Sequence, residues 1–279
     1  MIKDIEALQK LTAPDEVEQK IEEVKEQVAV ANRLLSEFGL STHILASLGH
    51  VSMRVPNEPD LFVVKGRGYA IDALAVVKPE EMIVVNMEGE MVDGPRGTSP
   101  CYEVKMHSCI LRERPDVQAM VHVHPRFTII MSLLGIPLQP MCNEGAPLVR
   151  DPIPVFKHSK LILSEEDGMG VVGALGESKA VMLRGHGAAA TGRNMEDAVM
   201  TMLQLEEQAR MNWYAYSIAG PDYQGIPAEE MDEHAAAFAK MGELPHLKGP
   251  LSRGAAPGAG GRAGGVWAYY STLVAQNLD

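Results

Sequence analysis

The sequence has few cysteines, and this shortage excludes one class of protein. Cys101, Cys109 and Cys142 are the three cysteines among 279 residues, and they form neither a CxxC pair nor an even set. Small secreted domains instead carry a dense, even set of disulfide-bonded cysteines. A disulfide framework is therefore excluded, and we expect reduced thiols that pack inside an intracellular protein.

Basic residues and long apolar runs are also scarce. The chain has 25 Lys and Arg against 37 Asp and Glu, a formal net charge of -12, whereas nucleic-acid binding depends on clustered Lys and Arg. No stretch approaches the roughly 18 apolar residues of a membrane span, and the first residues lack the basic start and apolar run of a signal peptide. We therefore expect a cytoplasmic protein without a nucleic-acid or membrane partner.

Enough apolar residues are present, 46% of the chain, to build a sizeable core, and their periodicity separates helices from strands. Apolar positions spaced by three and four predict a helix over about 13–38, and alternation predicts a strand over 49–55. The further predicted elements are strands at 61–64 and 82–86, a helix at 102–112, a strand at 119–124, a helix from about 127, a strand at 181–183 and a helix at 194–218. This order indicates a mixed sheet flanked by helices.

The composition changes sharply after about residue 245. Segment 254–265 consists almost entirely of Gly, Ala and Pro, which cannot build a core of their own, and apolar character returns at Trp267, Tyr269 and Tyr270. We therefore predict one domain over residues 1–245 and a Gly/Pro/Ala-rich tail over 246–279. Its apolar segment is expected to dock onto the body or onto a neighbouring subunit.

Two histidines on one predicted strand suggest a metal site. His122 and His124 are two residues apart, so their imidazoles project to the same side, and a third histidine would complete a site with an open position for substrate. For this pair alone, two hydrogen-bonded core histidines are an equally good interpretation. His186 favours the metal, because it follows a buried strand and lies between Gly185 and Gly187, which permit close backbone approach.

An ordered set of motifs resembles the class II aldolase/adducin family, from about residue 28 to 216. The set consists of Glu103 with His107 downstream, Pro115-Asp116, His122-Val123-His124-Pro125, and Arg184-Gly185-His186-Gly187 followed by a helix. In that family three histidines hold a divalent ion and a glutamate lies at the metal. The resemblance implies His122, His124, His186 and Glu103 as ligands, with zinc or manganese as the ion and iron, cobalt or magnesium as alternatives.

The same resemblance implies a fold and an assembly. The fold is an α/β/α sandwich with a central, mostly antiparallel sheet, and the assembly is a homotetramer with active sites at subunit interfaces. Glu103 has a simpler interpretation as an acidic residue in the first turn of a helix. Its place in the motif favours a role at the metal, either as ligand or in proton exchange with carbon. His107, one helical turn later, is expected to be structural.

Two segments depart from the sugar-phosphate aldolases of the family. Those enzymes usually carry Gly-Asn-x-Ser and a second loop rich in Thr, Ser and Gly, which together cradle a phosphate. This chain has Gly49-His50-Val51-Ser52 and Lys65-Gly66-Arg67-Gly68-Tyr69. An imidazole can gain a proton, and the planar guanidinium of Arg67 suits a carboxylate. The combination resembles the branch that decarboxylates hydroxylated aromatic or pyridine dicarboxylates.

We therefore hypothesise that the protein is a metal-dependent carbon–carbon lyase, a decarboxylase of aromatic compound catabolism. Its substrate would be a small anionic carboxylate, such as a dihydroxyphthalate or a hydroxypyridine dicarboxylate. The ion would chelate the phenolic oxygen and one carboxylate, with the metal-bound oxygen as electron sink. Arg67 would clamp a second carboxylate, and His50 or Glu103 would protonate the ring carbon. Ser52 and Arg54 share the strand face of His50 and are predicted to line the pocket, although Arg54 also suits a surface ion pair.

Two other functions compete with this hypothesis. A metal-dependent aldolase or epimerase acting on a sugar phosphate or a hydroxy-aldehyde would use the same metal, but a phosphate needs a cradle of backbone amides that Arg67 replaces poorly. An adducin-like head that only binds protein partners would have no use for the three histidines. Detection of a bound or activating divalent ion separates the enzymes from the binding module.

Overall fold

The computed structural model describes residues 14–246 and 263–275, and a single sheet forms its centre. The described strands are β1 (His50–Val55), β2 (Glu58–Arg67), β3 (Met82–Asn86), β4 (Met91–Asp93), β5 (Ser99–Pro100), β6 (Ala119–Val123), β7 (Val155–Phe156), β8 (Ala180–Leu183) and β9 (Gly187–Gly192). Their order is β4-β3-β2-β1-β6-β9-β8-β7, with β5 paired to the end of β2. Only β7 and β8, among the described strands, pair in parallel.

Helices cover both faces of this sheet. They are α1 (Pro14–Glu37), α2 (Val104–Glu113), α3 (Arg126–Leu134), α4 (Ala146–Val149), α5 (Glu165–Leu175), α6 (Met195–Ala219), α7 (Ala228–Ala239) and α8 (Ala263–Ala275). Apolar residues of α1, α3 and α6 share one buried cluster with the odd-numbered residues of β6, such as Val121. Residues of α2 and α5 share the other cluster with Met120, so the side chain of His122 points toward the α2 and α5 layer.

The predicted α/β/α sandwich with a mostly antiparallel central sheet is confirmed. The helix expected at 13–38 is α1, and the strand expected at 119–124 is β6. Strand β9 was not predicted, because its sequence Gly-Ala-Ala-Ala-Thr-Gly contains only one of the β-branched or aromatic residues typical of strands. Close packing of α6 explains this composition, since a Cβ on Gly192 would lie 2.2 Å from the backbone nitrogen of Ala198.

Helix α8 lies against the main body. The ring of Tyr270 meets that of Phe38 edge-on at a centroid distance of 4.4 Å, and Val274 is buried. Segment 247–262, which contains most of the Gly/Pro/Ala stretch 254–265, lies outside the described residues, so the domain boundary near 245 stays a prediction. Within residues 14–246 and 263–275, every helix is too short or too polar to cross a bilayer.

Candidate metal centre

The four predicted ligands meet beside the end of β6. His122 lies in β6 and faces Ala189 of β9, His124 follows the strand, and His186 lies in the turn between β8 and β9. Glu103 comes from another layer, at the start of α2. Three chain segments therefore bring four side chains to one place, and we call these four residues the ligand group.

The donor atoms of the ligand group lie close enough to share one ion. Glu103 Oε2 is 3.2 Å from His122 Nε2 and 3.4 Å from His186 Nε2, and His122 Nε2 is 3.2 Å from His124 Nε2. One ligand atom from each of the four residues lies within 4.8 Å of all the others. Three of the four residues are buried and His124 is half-buried, so water competes weakly for these atoms.

Two glycines explain how the turn at His186 reaches this position. Gly185 has a φ of 66°, a left-handed conformation that glycine adopts without strain. A Cβ on Gly187 would lie 2.5 Å from the carbonyl oxygen of Val123, so only glycine lets β9 approach β6 this closely. The close approach expected from the sequence is present, and it sets His186 beside His122.

The hydrogen bonds of the ligand group leave lone pairs directed at one another. His122 Nδ1 lies 3.0 Å from the carbonyl oxygen of Ala188, which can only accept, so Nδ1 carries the hydrogen and Nε2 presents a lone pair. Glu103 Oε1 accepts the backbone N–H of Ile162 at 3.0 Å, which leaves Oε2 to the histidines. Both nitrogens of His186 lack a hydrogen-bond partner among the described residues although they are buried.

This arrangement fits a divalent cation. A neutral imidazole lone pair 3.2 Å from a carboxylate oxygen is repulsive unless a cation lies between them. Burial lowers the pKa of His124 to about 3, with the neighbouring His122 and His186 acting in the same direction, so that imidazole is neutral and able to ligate. Three histidine nitrogens and a carboxylate suit zinc, manganese and related ions. The hydrogen bond to Ala188 is the kind of outer contact that orients a metal-binding imidazole.

Glu206 of α6 supports the ligand group from the opposite layer. Its carboxylate accepts the backbone N–H groups of Phe127 at 3.0 Å and Thr128 at 2.9 Å, and the hydroxyl of Thr128 at 2.8 Å. It therefore caps α3 immediately after His124-Pro125. Nothing in the sequence signals this contact, because 78 residues separate Glu206 from Thr128.

His50 and Ser52 lie next to the ligand group and belong to a second histidine cluster. His50 pairs with His122 across β1 and β6, and their ring centroids are 5.1 Å apart. His50 Nδ1 lies 2.6 Å from His107 Nε2, and His107 Nδ1 lies 2.6 Å from Ser52 Oγ. We call these three residues the hydrogen-bond chain. Sequence reasoning left His107 as a structural residue and missed this connection.

Cys101 adjoins His50 and His107, so these three residues also lie within reach of one ion. Burial raises the pKa of the Cys101 thiol to about 12, with Glu103 acting in the same direction, so a thiolate ligand is disfavoured. Burial likewise lowers the pKa of His107 to about 3 and holds that of His50 well below its ordinary value. Because the two imidazoles already bind each other, this trio is better explained as a hydrogen-bonded cluster than as a second metal site.

Arg67 lies at the end of β2, close to the start of α2. Its guanidinium is 4.4 Å from the centre of the Tyr102 ring, and Tyr102 immediately precedes Glu103. Arg67 Nη2 is also 3.0 Å from Asp72 Oδ2, and Lys65 pairs with the other oxygen of the same carboxylate. Two positive charges thus share one negative charge.

Arg54 is not brought to the histidines. Its Nε donates to the carbonyl of Val117 at 2.8 Å, Nη1 donates to Pro59 at 3.1 Å, and Nη2 donates to Leu111 near the end of α2. The carbonyls in the last turn of a helix have no N–H partner within the helix, and they attract such a cation. The prediction that Arg54 lines the pocket is therefore not supported by this geometry.

Known proteins with similar sequences and folds agree with these features. Residues 26–213 match the family described as Class II Aldolase and Adducin N-terminal domain. The chain is 32% identical over 231 residues to 3,4-dihydroxyphthalate decarboxylase of Rhodococcus jostii, which covers 79% of this chain and 93% of that protein. It is 31% identical over 176 residues to 5-methylthioribulose-1-phosphate/5-deoxyribulose-1-phosphate aldolase of Rhodospirillum rubrum, covering 63% and 77%.

A solved structure confirms the fold over almost the whole length. The aldolase II superfamily protein from Pseudomonas syringae superposes with a TM-score of 0.73 at 21% identity and covers 97% of each chain. Class II aldolases use a divalent metal, and the ligand group supplies donors for one. The chain belongs to the class II aldolase and adducin family, in the branch that contains the dihydroxyphthalate decarboxylases.

Proposed function

We propose that the protein is a divalent-metal-dependent decarboxylase of a small hydroxylated aromatic or heteroaromatic dicarboxylate. One observation carries the proposal: Lys65 and Arg67 share a single carboxylate, and the Arg67 guanidinium lies over the ring of Tyr102, the residue before Glu103. Lys65 and Arg67 contribute two positive charges and Asp72 one negative charge. The similarity to a dihydroxyphthalate decarboxylase supports the same choice of substrate class.

In this proposal His122, His124, His186 and Glu103 hold the ion, as the resemblance to the family implies. When bound, the ion supplies positive charge that stabilises the electron pair left by the departing carboxylate. The protein supplies the remaining requirements, which are orientation of the second carboxylate and return of a proton to the ring carbon.

Orientation is assigned to Arg67. A guanidinium has two parallel N–H groups that match a carboxylate, and the contacts with Tyr102 and Asp72 restrict its movement. A guanidinium held in place loses less conformational entropy when the substrate binds. We expect this residue to govern the preference for a dicarboxylate over a monocarboxylate.

Return of the proton is assigned to one of two atoms. Glu103 Oε2 is one, because Oε1 is held by the backbone of Ile162. His50 Nε2 is the other, because Nδ1 is taken up by His107. Glu103 belongs to the ligand group, and the His50 ring adjoins that of His122. If His50→Ala retained full turnover, Glu103 alone would keep this role.

A second candidate function is a metal-dependent aldolase or epimerase acting on a sugar phosphate. The similarity to the 5-methylthioribulose-1-phosphate/5-deoxyribulose-1-phosphate aldolase of Rhodospirillum rubrum favours it, and an aldolase, like a decarboxylase, breaks a carbon–carbon bond. The two candidates differ in the anion that the protein binds, since a phosphate needs several convergent backbone amides or hydroxyls.

The experiment is a paired screen with the purified full chain supplied with Mn or Zn. Hydroxylated aromatic and pyridine dicarboxylates are assayed for CO2 release, and sugar phosphates are assayed for aldehyde formation. We expect CO2 from at least one dicarboxylate. Aldehyde from a sugar phosphate, with no CO2 from any dicarboxylate, would establish the second candidate instead.

Arg67→Met sharpens this screen. Loss of a bidentate carboxylate contact of about 1.4–3 kcal/mol raises KM for the dicarboxylate roughly 10- to 100-fold. The matched control is Arg96→Met, because Arg96 is an exposed arginine of the loop between β4 and β5. Equal KM values in the two variants would show that Arg67 does not bind the substrate.

We also propose a homotetramer with active sites at subunit interfaces, located in the cytoplasm. Large exposed apolar side chains support self-association, among them Ile44 at 91% and Ile71 at 70% exposure. Light scattering on the purified chain tests the assembly, and a monomer at micromolar concentration would contradict it. Cell fractionation tests the location.

A further inference from the structure

The chain of Ser52, His107 and His50 has a direction. We infer that the Ser52 hydroxyl donates to His107 Nδ1, that His107 Nε2–H donates to His50 Nδ1, and that His50 therefore presents Nε2–H to the substrate. Ser52 and His107 are then positioning residues for a hydrogen-bond donor. The contact with substrate rests on the proposed function, whereas the hydrogen positions do not.

The two distances define the chain. His50 Nδ1 and His107 Nε2 are 2.6 Å apart, and His107 Nδ1 and Ser52 Oγ are 2.6 Å apart. A neutral imidazole has one N–H and one lone pair, so each contact needs one donor and one acceptor. All hydrogens must therefore point from Ser52 toward His50, or all of them from His50 toward Ser52.

Ser52 decides between these directions, because it is the buried end of the chain. The residue is fully buried, and its hydroxyl has no other hydrogen-bond partner in the described part of the chain. If His107 donated to Ser52, the hydroxyl hydrogen would be buried without an acceptor, which native structures rarely tolerate. If Ser52 donates, its hydrogen is used and only oxygen lone pairs stay unpaired, which is common.

The direction fixes the chemistry of His50. Because its Nδ1 accepts from His107, its hydrogen lies on Nε2, and Nε2 has no hydrogen-bond partner in residues 14–246 and 263–275. His50 is still 6% exposed, whereas Ser52 and His107 are fully buried, so His50 is the end that a ligand can reach. The His50 ring is also 5.1 Å from that of His122, which belongs to the ligand group.

A chain with this direction does not supply a proton. Loss of Nε2–H from neutral His50 would have to be balanced by a proton passed from His107 and then from Ser52, and Ser52 has no donor behind it in the described residues. His50 therefore acts by donating a hydrogen bond to an anionic oxygen of the substrate. Of the two atoms named above, His50 Nε2 is therefore not the source of the proton, and Glu103 Oε2 returns one to the ring carbon only after taking it up from water.

Nitrogen NMR of the full chain labelled with 15N-histidine tests the hydrogen positions directly, without metal or substrate. Spectra of His50→Gln and His107→Gln assign the two residues, and the exposed His158 and His234 serve as internal references. We expect both imidazoles to show a protonated Nε2 and an unprotonated Nδ1. A protonated His107 Nδ1 would overturn the inference.

Ser52→Ala removes the hydroxyl that sets the direction, and Ser52→Thr restores a hydroxyl. We expect Ala to give a mixture of tautomers at His50 and His107, and Thr to return the single tautomer of the original chain. An unchanged spectrum in the Ala variant would show that Ser52 does not set the direction. Should the Thr variant fail to fold, the comparison of Ala with the original chain is sufficient.

The kinetic consequence is measured separately, with the metal-loaded enzyme and a dicarboxylate that releases CO2. Ser52→Ala is expected to lower kcat/KM roughly 10-fold, within the range typical of residues that orient a site from behind, with Ser52→Thr recovering most of it. A tautomer mixture without any change in kcat/KM would overturn the contact between His50 and substrate. Absence of CO2 from every dicarboxylate would refute the proposed function and leave the spectra as predicted.

Discussion

Two groups of buried histidines lie side by side in this protein, and they differ in how their nitrogen atoms are satisfied. In the ligand group, the Nε2 atoms of His122 and His124 and a carboxylate oxygen of Glu103 converge, and neither nitrogen of His186 has a hydrogen-bond partner within the described residues. In the hydrogen-bond chain, both inner contacts of His107 measure 2.6 Å and leave neither of its nitrogens unpaired.

The difference shows that proximity alone does not define a metal site. The ligand group contains four side chains able to ligate, and His50 and His107 form a comparably close trio with Cys101; all of these except the half-buried His124 are buried. Only the ligand group has lone pairs that oppose one another, and such an arrangement is stable when a cation is added. In the hydrogen-bond chain, each contact pairs one donor with one acceptor from its own side chains. The chain therefore holds His50 in place and needs no ion.

The largest expected effect is that of His186→Ala on metal binding and activity. Because the side chain of His186 makes no hydrogen bond to the described residues, its removal should change the stability of the metal-free protein by less than about 1 kcal/mol. Loss of one of the three imidazole ligands should lower activity at least about 100-fold. Metal content and the free energy of unfolding with and without metal measure these effects.

A matched control for His186→Ala is His158→Ala, since His158 is exposed and lies in the loop before α5. The original chain and the control should gain about 2.7 kcal/mol of stability at a metal concentration 100 times Kd, and His186→Ala should gain far less at the same concentration. Equal metal affinity in both variants would refute the assignment of the ligand group.

The next largest effect is that of His107→Ala, which breaks the hydrogen-bond chain. It leaves buried polar atoms on His50 and Ser52 without partners and opens a cavity, for a combined loss of roughly 3 kcal/mol. Metal binding should persist at one ion per chain, because His107 is outside the ligand group. Denaturant unfolding of the metal-free protein and metal analysis provide the two measurements. Loss of the ion in His107→Ala would show that the hydrogen-bond chain is also required for metal binding.

The ligand group was accessible to sequence reasoning, whereas its supports were not. His122 and His124 share a strand face by the alternation of a strand, and the glycines around His186 indicate a tight approach, so these features are local in sequence. The partners that orient them are distant in the chain. The carbonyl of Ala188 is 66 residues from His122, and no residue type marks a backbone carbonyl as a partner.

The same contrast applies to the fold. Helices and strands with a clear apolar period, such as α1 and β6, were predicted to within a residue or two. Strand β9 was missed because the need for small residues against α6 outweighs intrinsic β propensity. Arg54 shares a strand face with His50, as predicted, but alternation could not show that the carbonyls at the end of α2 would bind its guanidinium.

A smaller effect is expected from Glu206→Ala, which acts on the ligand group from outside. Three donors at the start of α3 lose their acceptor, at a cost of about 2 kcal/mol. Because α3 begins directly after His124-Pro125, metal affinity should fall about 10-fold, while the 15N spectrum of His50 and His107 should stay unchanged. Calorimetric metal titration tests this, with Glu207→Ala as the control at the neighbouring, half-buried position, whose side chain pairs with Arg210 instead. A changed tautomer at His50 would show that the two groups share a support.

The smallest effect is that of Arg54→Met, which tests whether the substrate surface extends along β1 beyond Ser52. The variant keeps an apolar stem and removes the donors to Val117, Pro59 and Leu111, so we expect a loss of about 1–2 kcal/mol of stability. Metal affinity and KM for a dicarboxylate should stay within about twofold of the original chain, because a change of 0.4 kcal/mol or less corresponds to that ratio. A 10-fold rise in KM at unchanged stability would instead show that the substrate site extends to Arg54. The strand face that Arg54 shares with His50 would then determine its role, rather than the hydrogen bonds of its guanidinium to backbone carbonyls.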